Sequence, residues 1–203
     1  MKAICVFAGA HPGRLTEYAR GAAELGRVLA ENGIKLVYGG GRTGLMGAVA
    51  DGVLKAGGKA IGVIPAGLMG IELEHTGLTK LIVTPDMHTR KARLHELSDG
   101  FIALPGGIGT FDELFEALCW AQLGIHRKPC GLLNIKGYYD PLLKLVGNAQ
   151  GEGFVQAKHS KILLEAATPR RLLAAFLSWK SGPVERISVL SDIPHAVTKR
   201  RQK

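Results

Sequence analysis

Phe101-Ile102-Ala103-Leu104-Pro105-Gly106-Gly107-Ile108-Gly109-Thr110-Phe111-Asp112-Glu113 changes character twice within a short span. Its first four residues are apolar. Pro105-Gly106-Gly107 then breaks the run, and Leu114, Ala117, Leu118 and Ala121 follow at helical spacing. The order is strand, glycine turn, helix, with a helix expected over Thr110–Gln122 and Thr110 and Glu113 in its first turn. Unpaired amide N–H groups and the helix dipole at such a start favour an anion. A carboxylate beside that turn is no phosphate ligand, because like charges repel. The stretch therefore suggests a phosphate held by the turn and chemistry done by Glu113. It reads equally as a capping box, Thr110-x-x-Glu113, serving only the helix.

Outward from this stretch, short β-rich runs alternate with helical periodicity. Strands are expected at Ala3–Phe7, Lys35–Tyr38, Lys59–Ile64, Lys80–Val83, Gly100–Leu104, Cys130–Leu133 and Lys161–Leu164. Leu15, Tyr18, Ala22, Leu25 and Leu29 trace a helical stripe that stops at Asn32-Gly33. Further helices are expected at Gly44–Ala56, Met87–Leu97, Tyr138–Gln150 and Pro169–Ser178. Such alternation implies an α/β fold: a single Rossmann-like αβα domain with a mainly parallel sheet of about six or seven strands. Nearly all-apolar strands such as Ala60–Ile64 fit burial on both faces. The domain is expected over residues 1–180, followed by a basic tail at 181–203.

Composition narrows the function classes. The 203 residues are 46% apolar with 28 glycines, which suits a globular domain rich in tight turns. No apolar run approaches the ~20 residues of a spanning helix, and Gly9 and Pro12 come too early for a signal peptide. Cys5, Cys119 and Cys130 are odd in number and lack metal-type spacing, so reduced thiols, a cytoplasmic location and no metal are expected. The net charge of +9 comes from 26 basic against 17 acidic residues, part of it in Lys199–Lys203. It suits small phosphorylated ligands as well as nucleic acid, but no aromatics interleave the basic residues, so nucleic acid is not the expected partner.

In a parallel sheet all strand C-termini meet one edge, where ligands bind. Three loops fall there: Ala8–Gly13, Gly39–Gly44 and Pro105–Thr110. Residues 39–44 match G-x-G-x-x-G formally, but they follow the second strand, and the third ends Ile64-Pro65-Ala66-Gly67 without the acid that would bind a ribose. A full NAD site is disfavoured. A P-loop fails because no Gly-Lys-Ser/Thr follows either turn. Two glycine turns that converge on one phosphate remain, or glycines that merely permit tight turns. Met87-His88-Thr89-Arg90-Lys91 opens the helix after the fourth strand. Cations there oppose the helix dipole, so local stability does not account for them; Arg90 and Lys91 suit phosphate. His88 and His95 receive no role.

Three motifs, GGGRTGLMG at 39–47, MHTRK at 87–91 and PGGIGTFDE at 105–113, occur in this order. Together they resemble the Lonely Guy family, the cytokinin riboside 5′-monophosphate phosphoribohydrolases, from Met1 to about Ser178, including Ala121–His126 and Gly137-Tyr138-Tyr139. The resemblance implies a Rossmann-like fold, assembly at least as a homodimer with sites near the subunit interface, and no cofactor. It also implies hydrolysis of the N-glycosidic bond of adenine-type nucleoside 5′-monophosphates to free base and ribose 5-phosphate. It places catalysis on Arg90 and Glu113. Substrate contacts fall on Glu72, Lys91, the turn of Gly106, Gly107, Ile108, Gly109 and Thr110, and Gly41, Thr43 and Gly44. Relatives once labelled lysine decarboxylases lend no support to that chemistry here, since no lysine stands out as a cofactor anchor.

The chain also departs from the family. A first loop that usually reads Cys-Gly-Ser-Ser is Ala8-Gly9-Ala10-His11, which removes two hydroxyls, Cys119 replaces a threonine, and Thr89 replaces a glutamate. Glu116, one helical turn beyond Glu113, either assists it or is a plain helix residue. Asp99 either serves the site or closes an ordinary helix-to-strand turn. The competing class is a non-enzymatic nucleotide or molybdenum-cofactor carrier on the same fold.

Overall fold

The computed structural model describes residues 1–70, 73–156 and 162–180. Among these residues, seven strands form one all-parallel sheet: β1 (Ala3–Phe7), β2 (Lys35–Tyr38), β3 (Ala60–Pro65), β4 (Lys80–Thr84), β5 (Phe101–Ala103), β6 (Cys130–Leu133) and β7 (Leu163–Ala166). Six helices among the described residues accompany them: α1 (Thr16–Glu31), α2 (Gly44–Lys55), α3 (Met87–Glu96), α4 (Ile108–Gln122), α5 (Asp140–Gly151) and α6 (Pro169–Ser178). The strand order is β4-β3-β2-β1-β5-β6-β7. This is the expected α/β architecture, with all seven strands parallel.

Alternation along β1 shows how the layers are made. Ile4 and Val6 enter a core with α1, α2 and α6, through Leu25, Leu29, Val49 and Leu172. Ala3, Cys5 and Phe7 enter the opposite core with Leu94 of α3, Leu114 and Ala117 of α4, and Tyr139. Each fully buried leucine contributes roughly 1.5–3 kcal/mol. The half-exposed pairs of Arg27 with Glu24 and Glu31 on α1 are worth far less, because solvent screens them. Burial, not surface charge, seats α1.

Several expected boundaries move. The seventh strand lies at Leu163–Ala166, where it pairs with Cys130–Leu133, rather than at Lys161–Leu164; Lys161 is outside the described residues. Helix α5 begins at Asp140 and not Tyr138, because a 3-10 turn at Ile135–Gly137 with positive φ at Lys136 and Gly137 precedes it. Asp99 accepts from the amides of Lys2 (2.5 Å) and Ala3 (3.1 Å) at the start of β1, the sheet edge opposite the strand C-termini. It closes a helix-to-strand turn and is remote from the ligand-binding edge. The basic segment 181–203 lies outside the described residues, as does Glu72.

Candidate active site

Strand order reverses between β1 and β5: from β1 the sheet runs out through β2, β3 and β4, and from β5 through β6 and β7. Loops leaving the carboxyl ends of β1 and β5 diverge at such a point, and the crevice between them is where this class of sheet binds ligands. A cavity of about 450 Å³ opens there, within the range of small-molecule sites. Its walls are the 8–13 loop, Gly39, Met46, Leu68, Met87, Arg90, Gly106, Gly107, Gly109, Thr110, Glu113 and Tyr138.

Arg90 and Glu113 meet across this cavity, Nη1 to Oε1 at 3.0 Å, with side chains only 11% and 13% exposed. Arg90 comes from α3 and Glu113 from α4. The guanidinium is held from other sides as well. Its Nε donates to the Val63 carbonyl at 3.1 Å, and Nη1 lies 3.3 Å from Met87 Sδ. Gly39 makes room for it, because a Cβ there would fall 2.6 Å from Nη2. Helix α3 is capped by Asp86, whose carboxylate accepts from the Thr89 amide (2.7 Å) and the Thr89 hydroxyl (3.0 Å). That cap secures the turn carrying Arg90.

The glycine turn before α4 corrects one expectation. The helix starts at Ile108, not Thr110; its N-cap is Gly107, and no side chain caps it. Thr110 is therefore its third residue, and Glu113 lies in its second turn. A capping box would need Thr110 itself at the N-cap, so that alternative falls. The amides of Ile108, Gly109 and Thr110 precede the first intrahelical bond, Phe111 N–H to the Gly107 carbonyl at 3.1 Å. Gly109 and Thr110 line the cavity, while the Ile108 side chain points to the surface, 82% exposed.

The second glycine turn behaves differently. At the start of α2 the amides of Leu45 (2.9 Å) and Met46 (3.4 Å) both donate to the Gly9 carbonyl. Arg42 N–H donates to Leu73 O at 2.8 Å, and His75 N–H to Gly40 O at 2.9 Å. These donors are answered by the protein. Gly41, Thr43 and Gly44 are not brought to the cavity wall, whereas Gly39, Leu45 and Met46 are. The hydrogen bonds at 40–47 match glycines that permit a tight turn.

Lys91 is not in the cavity lining. Its Nζ lies 2.7 Å from Asp112 and 2.5 Å from Glu116, both on α4. Burial alone would lower the Lys91 pKa, yet the hydrogen bonds that Lys91 donates to Asp112 and Glu116 hold it above its usual value. Glu116 thus pairs with Lys91, and the three residues tie α3 to α4.

Two tyrosines that sequence patterns leave without a role anchor the glycine turn. Tyr138 donates its hydroxyl to the Gly106 carbonyl, and Tyr139 donates to the Leu104 carbonyl at 2.6 Å. Their reach across more than thirty residues leaves no periodic signal. Among the thiols, Cys5 is buried, and burial first, then the Glu113 charge, push it far up, so it stays protonated. Cys130 is buried and pushed up to about 12 by burial. Neither is poised as a nucleophile.

A family model described as "Possible lysine decarboxylase" matches residues 46–176. A probable cytokinin riboside 5′-monophosphate phosphoribohydrolase of Oryza sativa subsp. japonica is 48% identical over 170 residues, 84% of this chain and 76% of the relative. A cytokinin riboside 5′-monophosphate phosphoribohydrolase of Rhodococcoides fascians is 50% identical over 165 residues, 80% of this chain and 83% of the relative. The chain belongs to the Lonely Guy family. Among solved structures, the molybdenum cofactor binding protein of Rippkaea orientalis superposes with a TM-score of 0.67 at 25% identity, over 88% of this chain and 97% of that one. The molybdenum cofactor carrier protein of Chlamydomonas reinhardtii gives 0.66 at 25% identity, over 86% and 94%. The Lonely Guy motifs at 87–91 and 105–113 supply the Arg90–Glu113 pair. No lysine is among the described residues that line the cavity.

Proposed function

We propose that this chain hydrolyses the N-glycosidic bond of adenine-type nucleoside 5′-monophosphates, releasing free base and ribose 5-phosphate. The Arg90–Glu113 pair beside the open α4 terminus carries the reading. Identities of 48–50% to curated phosphoribohydrolases support it over the carrier alternative, whose solved relatives stand at 25%.

The 5′-phosphate takes the amides at 106–110, where the helix dipole favours negative charge. Leu68, Met46 and Met87 form an apolar wall toward the β3–β4 side of the cavity, and the base lies against it. The ribose then spans the Arg90–Glu113 pair. Cleavage builds positive charge at the anomeric carbon, as in glycoside hydrolysis generally. Glu113 stabilises that charge and accepts the proton of the attacking water as the water oxygen bonds the anomeric carbon. The departing base nitrogen keeps the electron pair of the broken bond and takes a proton from solvent. Arg90, anchored to Val63 and Met87, holds the ribose oxygens in reacting geometry.

The active form is a homodimer. Ile108, Phe115, Leu123 and Ile125, on α4 and just beyond it, leave an exposed apolar strip next to the site. A cytoplasmic location fits the protonated thiols.

Incubation with AMP followed by chromatography tests the activity. Free adenine is expected, with adenosine a poor substrate because it lacks the anchoring phosphate. Equal turnover of AMP and adenosine, or intact AMP, would contradict the assignment.

A further inference from the structure

The charges that line the cavity nearly cancel. Arg90 and Glu113 are paired at 3.0 Å, and the remaining lining residue able to carry positive charge is His11. Lys91, the other cation on the Met87–Lys91 segment, is committed to Asp112 and Glu116. A phosphate dianion seated on neutral amides would therefore meet no unpaired cation among the described lining residues unless His11 supplies one.

Position supports this role. Gly9 N–H donates to the Pro105 carbonyl at 3.1 Å, which stitches the first loop to the α4 turn. The Gly9 carbonyl in turn accepts from the Leu45 and Met46 amides at the start of α2. Gly44 lies so close that a Cβ there would fall 2.5 Å from the His11 nitrogen. The loop carrying His11 thus lies against both turns, and His11 is an exposed residue of the cavity lining. Its loop follows β1, which neighbours β5 and the glycine turn, whereas Leu68 and Met87 follow β3 and β4. The titratable or charged groups that share the cavity are Tyr18 from α1, Arg90 from α3, Glu113 from α4 and Tyr138 before α5; Arg14, on the same loop, is not in the lining.

We propose that His11 is a phosphate ligand of this site, placing an imidazole N–H on the 5′-phosphate. The imidazole carries a ring N–H donor, which the side chains of Ala8, Gly9 and Ala10 on the same loop lack. The inference rests on the nucleotide-hydrolase reading for the ligand's identity, yet it concerns binding and can be measured without turnover.

Titration calorimetry with ribose 5-phosphate, and with ribose as the uncharged control, tests it on the full chain. His11→Ala is expected to weaken ribose 5-phosphate binding about tenfold, leaving ribose unaffected. His11→Asn, which keeps a side-chain N–H donor, should fall between the parent protein and His11→Ala. Unchanged affinity in His11→Ala, or a loss shared equally with ribose, would overturn the proposal. Adenine release from AMP, assayed alongside, judges the hydrolase reading separately.

Discussion

The Tyr138 hydroxyl donates to the carbonyl oxygen of Gly106, in the turn that opens α4, and Tyr138 itself lines the cavity. One peptide cannot aim its carbonyl and its neighbour's N–H at the same partner, so drawing the Gly106 carbonyl toward Tyr138 helps set where the following amides point. Tyr139 does the same two residues earlier at Leu104. The two rings stack edge-on at 4.9 Å, which fixes both hydroxyls together.

Tyr138→Phe should therefore act on substrate binding more than on folding. A lost hydrogen bond at a half-buried site costs about 1 kcal/mol. The expected result is a several-fold higher KM for AMP with a small change in kcat, read from initial rates. Tyr139→Phe removes a fully buried hydroxyl and leaves the Leu104 carbonyl unsatisfied, so it should lower unfolding free energy by about 1–3 kcal/mol in urea. A Tyr138→Phe enzyme with wild-type KM would remove Tyr138 from the positioning role.

Glu113→Gln is nearly isosteric and keeps an oxygen to accept from Arg90. The fold should survive with a loss of about 1 kcal/mol, seen by thermal melting. Base release from AMP should fall by at least ~10²-fold, the lower end for removal of an acid–base group. Full retention of activity would take Glu113 out of the chemistry.

Much of the fold and part of the site are legible in the amino-acid sequence. β1 and β2 are apolar on both faces because both faces are covered, and that burial is what the apolar runs record. Arg90 and Glu113 stand out because each lies just past a strand end, where the topology collects ligand-binding groups. The Thr110-x-x-Glu113 pattern misleads because it imitates a cap, whereas the operative N-cap is Gly107, which has no side chain to advertise itself. The Tyr138–Gly106 bond and the clamp of Lys91 on Asp112 and Glu116 depend on how separate elements pack, and spacing within one element carries no trace of that.

The Lys91 clamp yields its own test. Lys91→Met keeps the aliphatic stem but unties α3 from α4, leaving Asp112 and Glu116 as neighbouring like charges. Since Arg90 precedes Lys91 on α3, the Arg90–Glu113 geometry should loosen. The expected signature is a fall in kcat of about tenfold or more, since small misplacements at a reacting centre are costly, with the KM of AMP less affected. A pure rise in KM would instead make Lys91 a substrate ligand.

Assembly can be tested on the α4 strip. Phe115→Asp or Ile125→Asp places a charge on an exposed apolar surface, so the monomer fold should tolerate either. Light scattering of the parent protein is expected near twice the 21.6 kDa chain mass, and near the single-chain mass for the variants. A parent protein that runs as a monomer would sink the dimer.

Acid stability depends on a group of rings remote from the cavity. His95 is buried against Phe101 (4.5 Å) and Trp120 (4.3 Å), with His126 at 5.7 Å. His95 Nδ1 and His126 Nε2 are buried without a hydrogen-bond partner among the described residues. Burial first, then the neighbouring His126 and the charges of Lys128 and Lys91, lower His95 to about 4; burial and Lys128 lower His126 to about 4. Against an unfolded value near 6.5, the unfolded chain binds more protons between pH 4 and 6.5. Stability is then complete above pH 6.5 and falls as pH drops toward 4, by about 3 kcal/mol for His95 alone. Asp86, Asp99 and Glu24 are also held below their usual range, but they lose their contribution only below about pH 4.5. The window from pH 6.5 to 4.5 therefore isolates the imidazoles. Urea unfolding across it should show a steep loss in the parent chain and a distinctly shallower one in His95→Phe, whereas equal slopes would show that His95 is not the group being titrated.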